Sequence, residues 1–269
     1  MKSGLVLIGI ILVLIPVACS PAQSKPFEDI QQQSLTTATV GIALATATPS
    51  PTPSPTISPT PEPVWSVLPA GELVSRIPVA DSNLVALTID DGYGRIPFDA
   101  ITLVLNERDL HATYFLVAQA AINLGGERIS QLVEDGHQIA YHSFSHDELE
   151  ELASWDSEAW IADFEEWQMA FIELLGPDAF NRAFRPYARA PYGLFNVPFL
   201  DMTQELGLIP IGWSRAPDDL NRGISMQNGD IFLFHVRFPD AEIMGPIIDN
   251  AEYDFVTLDE LIASSTLLD

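Results

Sequence analysis

Cysteine and lysine are the residue types that this sequence most nearly lacks. Cys19 is its single cysteine, and no lysine follows Lys25. A single cysteine excludes an intrachain disulfide, so a hydrophobic core has to hold the fold together. Hydrophobic residues make up 47% of the 269 residues, and this length is sufficient for one domain of about 200 residues with extensions.

Positive charge is scarce throughout the chain. The sequence contains 37 acidic and 12 basic residues, and its net charge at pH 7 is −25. A protein of this charge repels the phosphate backbone, so we expect no nucleic acid partner. Other anionic polymers should be repelled on average as well, although a local site can still accept one.

The first 19 residues have the pattern of a bacterial export signal. Lys2 precedes an uncharged apolar run over residues 5–17, and a run of this length is too short for a membrane span. Residues 16–20 are similar to a lipoprotein cleavage box, in which Cys19 becomes the lipidated N-terminus and the protein's sole membrane attachment. Pro16 departs from the branched aliphatic residue that is usual there, so ordinary secretion is the alternative.

Residues 20–63 form a second region, rich in Thr, Ser and Pro. The region has too few large apolar side chains to offset the entropy of ordering it, and its prolines favour extended geometry. We therefore predict a disordered linker over residues 20–63 and one folded domain over residues 64–269.

In the folded domain, apolar runs of strand length alternate with helical patterns, which indicates β–α units and a mainly parallel sheet. The predicted strands are residues 84–89, 112–117, 138–141, 183–187, 208–213, 231–234 and 255–258. The predicted helices are residues 97–108, 127–134, 157–175 and 197–205, and we interpret the aromatic residues of the third as core. Seven strands with intervening helices favour an α/β fold of the distorted or incomplete (β/α) barrel type, with an open doubly wound sheet as the alternative.

Five polar motifs directly follow five of the predicted strands. They are Thr88-Ile89-Asp90-Asp91-Gly92, His142-Ser-Phe-Ser-His146, Arg189-Ala-Pro-Tyr192-Gly193, Ser214-Arg-Ala-Pro-Asp218-Asp219 and His235. In parallel β/α folds, ligand sites form at the carboxyl ends of the strands. We therefore expect the five motifs to meet on one face of the molecule.

Carboxylates and histidines in these motifs indicate chemistry at a metal ion. Asp90 and Asp91 are adjacent in a strand and should point to opposite faces, so both reach one centre only if the strand breaks, which Gly92 permits. His142 and His146 are four residues apart, which places both imidazoles on one side of a helical turn at a spacing suited to chelation. Two histidines and one carboxylate make a three-ligand site with an open position for water.

In order and spacing, the five motifs resemble those of the polysaccharide deacetylase family, the NodB-like carbohydrate esterases. The resemblance covers residues 80–262, and it implies that the domain over residues 64–269 is a polysaccharide N-deacetylase. Such a hydrolase would remove acetyl groups from an N-acetylated glycan, peptidoglycan or a chitin-like polymer. The resemblance also implies that Asp91, His142 and His146 hold a divalent metal ion, with Zn²⁺ the expected ion.

The resemblance assigns the remaining site residues to proton transfer and charge stabilisation. Asp90 matches the general base, and Arg189 matches the arginine that orients it. His235 matches the general acid, and Asp219 matches the carboxylate that pairs with this histidine. The backbone N–H of Tyr192 would help to stabilise the oxyanion of the tetrahedral intermediate.

The sequence departs from the family pattern at three positions. Ile89 replaces a common Phe, Ala216 replaces an additional Asp, and Leu220 replaces a Trp. The change at Leu220 removes part of an expected acetyl-pocket wall, which concerns substrate preference more than the reaction. Arg185 offers a second register for the third motif, but Arg189 is favoured because a glycine follows it at the turn that an oxyanion site requires.

Three alternatives remain open at this point. Related enzymes cleave acetyl esters on xylan with the same set of residues. A second alternative is a catalytically silent glycan-binding protein on the same fold, although such a protein would have no need of the complete set. The third is an acidic structural surface protein, in which the motifs would be a coincidence.

Cys19→Ser should release the protein into the medium, because serine cannot carry the lipid that is expected to hold the protein at the membrane. Immunoblots of membrane and medium fractions measure the distribution. Wild-type protein found wholly in the medium would instead support ordinary secretion.

Overall fold

The computed structural model describes residues 62–80 and 82–268 of the chain. Its seven strands pair in parallel in one sheet: β1 Leu84–Asp91, β2 Thr113–Leu116, β3 Gln138–Tyr141, β4 Phe184–Ala188, β5 Ile209–Pro210, β6 Ile231–His235 and β7 Asp254–Val256. The strand order is β5-β4-β3-β2-β1-β6, and β7 pairs with residues 84–86 of β1. The predicted export signal and nearly all of the predicted linker lie in residues 1–61, outside the described residues.

The two ends of the strand order, β5 and β6, are brought together by the chain that follows β5. Arg215 pairs with Phe232 of β6 in an isolated bridge. The N–H groups of Ser214 and Arg215 donate to the carbonyl of Ile231 at 3.0 and 3.2 Å, and the N–H of Leu233 donates to the carbonyl of Arg215 at 2.9 Å. The sheet is therefore an incomplete, distorted barrel, and this predicted fold class is confirmed over the open doubly wound sheet.

Ten α-helices occur in the described residues. They are α1 Arg95–Asn106, α2 Ala118–Leu124, α3 Gly126–Glu134, α4 Leu149–Leu152, α5 Ser157–Leu175, α6 Pro177–Ala183, α7 Val197–Leu206, α8 Pro217–Asn221, α9 Phe238–Asn250 and α10 Leu258–Ala263. The four predicted helices correspond to α1, α3, α5 and α7. Five of the remaining helices are short, and α9 contains Gly245 and Pro246, which conceal its helical pattern.

The predicted strand over residues 208–213 is wrong in extent. Only Ile209–Pro210 form a strand, because the chain then pairs with a different segment. The N–H of Val74 donates to the carbonyl of Pro210 at 2.9 Å, and the N–H of Gly212 donates to the carbonyl of Val74 at 2.8 Å. This change of partner carries residues 211–215 from the end of β5 towards β6.

Strand β1 has two different faces. Its odd-numbered residues from Val85 to Ile89 are fully buried in the core beneath the helices. Ala86 belongs to a second core inside the barrel, and Thr88 and Asp90 lie on the same face because side chains alternate along a strand. Strand β1 therefore points Asp90 into the barrel.

Helix α5 buries its aromatic face, as predicted. Trp160, Trp167 and Phe171 are fully buried, and Trp167 Nε1 donates to the carbonyl of Leu116 in β2 at 2.7 Å. A buried indole N–H needs such a partner, so this helix is fixed against the sheet by a polar contact as well as by apolar area. Within the described part of the chain, no helix combines the length and apolar character needed to cross a membrane.

Gly229 fixes the segment before β1 to the amino-terminal end of that strand. Its N–H donates to the carbonyl of Leu84 at 2.8 Å, and its carbonyl accepts from the N–H of Ile77 at 2.9 Å. Its φ is 76°, and a β-carbon added at this position would lie 1.8 Å from the carbonyl oxygen of Ile77. Both the backbone conformation and the lack of space therefore exclude a side chain.

Gly229→Ala should lower the free energy of unfolding by about 3 kcal/mol or more, since a left-handed non-glycine residue costs about 1–3 kcal/mol and the steric clash adds to it. Gly207→Ala is the matched control. Gly207 has a φ of 67°, but nothing lies within 4 Å of an added β-carbon, so its loss should be about 1 kcal/mol. Urea unfolding followed by circular dichroism measures both variants, and equal losses would contradict the steric argument.

Candidate active site

Three predicted metal ligands meet where β1 and β3 end. Asp91 is the last residue of β1, and His142 and His146 follow β3. Asp91 Oδ1 lies 3.5 Å from His142 Nε2 and 3.6 Å from His146 Nε2, and the three ligand atoms lie within 4.8 Å of one another. Ligand atoms around a tetrahedral Zn²⁺ at about 2.0–2.1 Å are separated by roughly 3.3–3.5 Å, so these residues fit a divalent ion with little rearrangement.

The direction of Asp91 depends on an unusual backbone conformation. Its φ is 79°, in a region that non-glycine residues rarely occupy, and Gly92 follows with a φ of 108°. The strand therefore breaks at Asp91 itself as well as at the glycine. As a result, Asp90 keeps the inward direction of the strand, and Asp91 turns towards the two histidines.

The segment that carries the two histidines is a loop, and the prediction of a helical turn is wrong. Ser143 and His146 have φ values of 67° and 57°. Ser143 Oγ accepts from the N–H of His146 at 2.9 Å, and Asp163 of α5 accepts from the N–H of Phe144 at 3.0 Å. These side-chain acceptors replace helical hydrogen bonds and still hold the two imidazoles 5.2 Å apart between ring centroids.

A backbone carbonyl orients the imidazole of His142. Its Nδ1 lies 2.8 Å from the carbonyl oxygen of Arg189. A carbonyl can only accept, so Nδ1 carries the proton and Nε2 is the atom that faces Asp91. Ligating histidines are commonly oriented in this way by a second hydrogen bond.

Burial and neighbouring charges shift the ionisation of all three ligands. Burial by itself lowers the pKa of His142, but the carboxylates of Asp90 and Asp91 outweigh it and hold this pKa above its ordinary value. Burial and the charge of His142 lower the pKa of His146. Burial would raise the pKa of Asp91, but the hydrogen bond and charge of His142, together with the other nearby histidines, hold it below the ordinary value. The pKa shifts therefore favour one positively charged group beside the carboxylate of Asp91.

Asp90 lies beside the predicted metal ligands and contacts Arg189. Its Oδ1 accepts from Arg189 Nη1 at 2.6 Å, and its Oδ2 lies 3.7 Å from His142 Nε2. The other hydrogen bonds of the guanidinium go to buried acceptors: Thr88 Oγ1 at 3.0 Å, the carbonyl of Ile211 at 3.0 Å and the carbonyl of Gly212 at 2.9 Å. One oxygen of Asp90 is thus fixed, and the other faces the metal ligands.

Arg185, the other candidate for the third motif, lies elsewhere. Its guanidinium pairs with Asp259 and lies 5.3 Å from the ring centroid of Trp65. Arg189 is fully buried and contacts Asp90. The structure therefore places the arginine favoured by the sequence beside the predicted base.

The third motif turns sharply at Tyr192. Tyr192 and Gly193 have φ values of 57° and 70°, and a β-carbon at Gly193 would lie 2.9 Å from the ring of Trp213. Among the described residues, the backbone N–H of Tyr192 has no hydrogen-bond partner. The ring of Tyr192 lies 4.6 Å from that of His146, and Tyr192 lines the same cavity as the metal triad, so its N–H stays the predicted oxyanion donor.

His235 ends β6 directly beside Asp90 in the sheet register. The structure does not bring Asp219 to it, which corrects the predicted pairing. Asp219 Oδ2 accepts from the N–H of Ala216 at 2.9 Å, because the first turn of α8 needs a local acceptor. The carboxylate beside His235 belongs to Asp240 of α9, with 3.7 Å between its Oδ2 and His235 Nδ1.

The metal ligands, Asp90, Tyr192 and His235 line one cavity of about 340 Å³. Its apolar wall is formed by Ala190, Trp213 and Leu233. Leu220 lies outside this wall, because it lines a separate apolar cavity between α8 and α9. This position agrees with the expectation that Leu220 leaves part of the acetyl-pocket wall missing, and its effect on substrate preference stays a prediction.

Three buried polar residues contribute to the site although the sequence assigns them no role: Thr88, Asp163 and Asp240. Thr88 lies two residues before Asp90, so strand alternation alone places it on the same face. Asp163 lies on the apolar face of α5, where an acidic residue is unexpected. Asp240 is the hardest of the three to find from the sequence, because its position depends on α9, and the sequence pattern does not predict that helix.

The model of the polysaccharide deacetylase family matches residues 79–211. A chitooligosaccharide deacetylase of Sinorhizobium fredii is 29% identical over 169 residues, which are 59% of this chain and 74% of that protein. A peptidoglycan-N-acetylglucosamine deacetylase of Listeria monocytogenes is 28% identical over 209 residues, or 72% of this chain, and the chain spans 42% of that protein. The solved structure of a family 4 carbohydrate esterase from Bacillus anthracis has a TM-score of 0.60 and 24% identity, covering 77% of this chain and 95% of that one.

The family match includes the first three motifs, with Asp90, Asp91, His142, His146 and Arg189. The predicted enzyme class, a polysaccharide N-deacetylase, is confirmed by these comparisons. They also exclude a coincidence of motifs in an acidic structural protein. The match to the polysaccharide deacetylase family covers residues 79–211, just under half of the chain.

Proposed function

We propose that the protein is a metal-dependent enzyme that hydrolyses N-acetyl groups of a glycan containing N-acetylglucosamine, in peptidoglycan or a chitin-like polymer. One observation carries the proposal: a three-ligand metal centre, a buried carboxylate held by arginine and a half-buried imidazole share one cavity of about 340 Å³. The two relatives described above act, by their names, on chitooligosaccharides and on peptidoglycan N-acetylglucosamine. N-acetylglucosamine is the chemistry that these two substrates share.

Asp91, His142 and His146 would hold the divalent ion, with Zn²⁺ the expected one. When bound in such a site, the ion polarises the acyl oxygen and lowers the pKa of water. Two imidazole nitrogens and one carboxylate oxygen leave a coordination position open, as in catalytic rather than structural zinc sites.

Asp90 is placed to take the proton of the attacking water. Arg189 fixes Oδ1 by a charge-assisted hydrogen bond of 2.6 Å, so Oδ2 is the oxygen available to the water. A base aligned in this way contributes typically about 100- to 10,000-fold to the rate.

His235 is placed to supply a proton to the leaving nitrogen. A carbon–oxygen bond forms as water attacks the acetyl carbon, and the N–H of Tyr192 donates to the oxyanion that develops. The carbon–nitrogen bond then breaks, and the nitrogen takes the proton of His235. Acetate and a free amino sugar leave the site.

Ester hydrolysis remains the second candidate, because an alkoxide leaving group would take the same proton from His235. A silent glycan-binding protein is less well supported. Glycan binding alone would require neither a cluster of possible metal ligands nor a buried base held by arginine. The chain has both, in the cluster of Asp91, His142 and His146 and in the contact of Asp90 with Arg189.

The proposed location is the outer face of the membrane, with Cys19 as the lipid attachment or, in the alternative, the medium after secretion. The export pattern of residues 1–19 supports this location. Residues 20–63 would then act as a linker between the membrane and the catalytic domain. An envelope glycan would lie within reach of an enzyme attached in this way.

Each chain should bind one divalent ion, and chelation should abolish activity, because the three ligands form a single centre. Asp91→Asn should weaken Zn²⁺ binding by about 10-fold or more, since it removes the anionic ligand, whereas Asp90→Asn should retain the ion. Calorimetric titration with zinc and metal analysis of the purified variants measure both effects. Retention by Asp91→Asn with loss by Asp90→Asn would mean that the two aspartates have exchanged roles, and full activity without metal would refute the mechanism.

Asp90→Asn and His235→Ala should each lower kcat by about 100-fold or more while the metal stays bound, because each removes a proton-transfer group. The assay is acetate release from peptidoglycan, chitin oligosaccharides and acetylxylan. Asp249→Asn, on an exposed ion pair with Arg108, and His111→Ala are matched controls that should retain activity. Release from acetylxylan alone would favour the esterase, and no release from any substrate by the metal-loaded protein would favour a silent binding protein.

A further inference from the structure

Asp240 is a buried carboxylate that the proposed reaction does not yet use. It is 1% exposed and lies in the first turn of α9, five residues after His235. Its Oδ2 accepts from the backbone N–H of His235 at 2.7 Å, and its Oδ1 accepts from Arg237 Nε at 2.8 Å. Both oxygens are therefore fixed in place at the end of β6.

The facing nitrogen of His235 is buried and unpaired. Nδ1 of His235 has no hydrogen-bond partner among the described residues, and the nearest carboxylate oxygen is Oδ2 of Asp240 at 3.7 Å. The His235 side chain is 31% exposed, so the exposed part of the ring is the edge away from Nδ1. A buried nitrogen without a partner is unfavourable, and a small rotation of the ring would form the hydrogen bond to Asp240.

We propose that Asp240 is the positioning residue for His235: its carboxylate accepts the Nδ1 proton, so that Nε2 faces the cavity and carries the proton given to the leaving group. This inference rests on the proposed function, in which His235 is the proton donor. The arrangement follows the general rule that a catalytic histidine is held in one tautomer by a third group. It assigns to Asp240 the part that the sequence suggests for Asp219.

The charges around Asp240 agree with this role. Burial by itself would raise the pKa of Asp240, but the His235 side chain, Arg237 and the His235 N–H hold it below its ordinary value. The other ionisable groups around His235 come from different elements: Asp90 and Asp91 of β1, His142 and His146 after β3, and Tyr192 after β4. Within the described residues, Asp240 of α9 supplies the only carboxylate at ion-pair distance from Nδ1 of His235.

Asp240 also has a structural role, because it joins the end of β6 to α9. Asp240→Asn separates the two roles, since an amide oxygen still accepts from the backbone N–H of His235 while the negative charge is lost. Asp219→Asn is the matched control, with the same chemical change at the carboxylate bonded to Ala216. Circular dichroism and zinc content establish that both variants retain the fold and the metal centre.

The test uses two measurements on the metal-loaded protein. The first is the pH dependence of kcat/KM for acetate release, in which loss of the carboxylate should move the alkaline limb to lower pH by about one unit, with a fall in kcat of about 10-fold or more. The second is nitrogen-15 NMR of the His235 ring, which reports the tautomer without any substrate. In wild type, Nδ1 should carry a slowly exchanging proton, and in Asp240→Asn this proton should exchange faster, because a neutral amide oxygen accepts it more weakly than a carboxylate does.

Unchanged NMR signals and an unchanged alkaline limb in Asp240→Asn would overturn the inference, as would both effects appearing in Asp219→Asn instead. If Asp240→Asn does not fold, the wild-type spectrum decides, because a rapidly exchanging Nδ1 proton contradicts a hydrogen bond to Asp240. If wild type releases no acetate, the proposed function fails, and the tautomer measurement still tests whether Asp240 positions His235.

Discussion

The buried guanidinium of Arg189 is the constraint on which the site depends. It is fully buried, donates four hydrogen bonds and lies 4.0 Å above the ring of Phe115. Removing one partner of such a buried pair typically costs about 3–5 kcal/mol, because the other charge is left uncompensated. The side chain of Arg189 aligns Asp90, and its carbonyl aligns His142. One residue thus holds both the proposed base and a proposed metal ligand in place.

The same arginine couples the site to the closure of the barrel. Two of its acceptors are the carbonyls of Ile211 and Gly212, in the chain that passes from β5 to β6. Asp230, which is fully buried, holds the continuation of that chain by accepting from Ser214 Oγ at 2.7 Å. It also forms ion pairs with Arg76 and Arg215. The position of the proposed base therefore also depends on the polar network around Asp230.

The meeting of the proposed metal ligands and the proposed base could be predicted from the sequence, because each lies in a short motif at the end of a strand. Strand alternation separates Asp90 from Asp91, and a break after them brings both to one centre. The partner of His235 could not be predicted in this way, since it depends on how α9 packs against β6. Asp219 has the expected place in the chain, but its carboxylate is used at the start of α8. The direction of Leu220 likewise depends on packing between α8 and α9, which no local pattern describes.

Left-handed backbone conformations are concentrated at the site. Of the five non-glycine residues with positive φ in the described residues, four are Asp91, Ser143, His146 and Tyr192. Each such residue stores conformational strain of about 1–3 kcal/mol, which the surrounding fold has to absorb. Laboratory evolution for heat resistance alone would consequently favour glycine at these four positions. A thermostable variant obtained without an activity screen would therefore tend to lose catalytic activity.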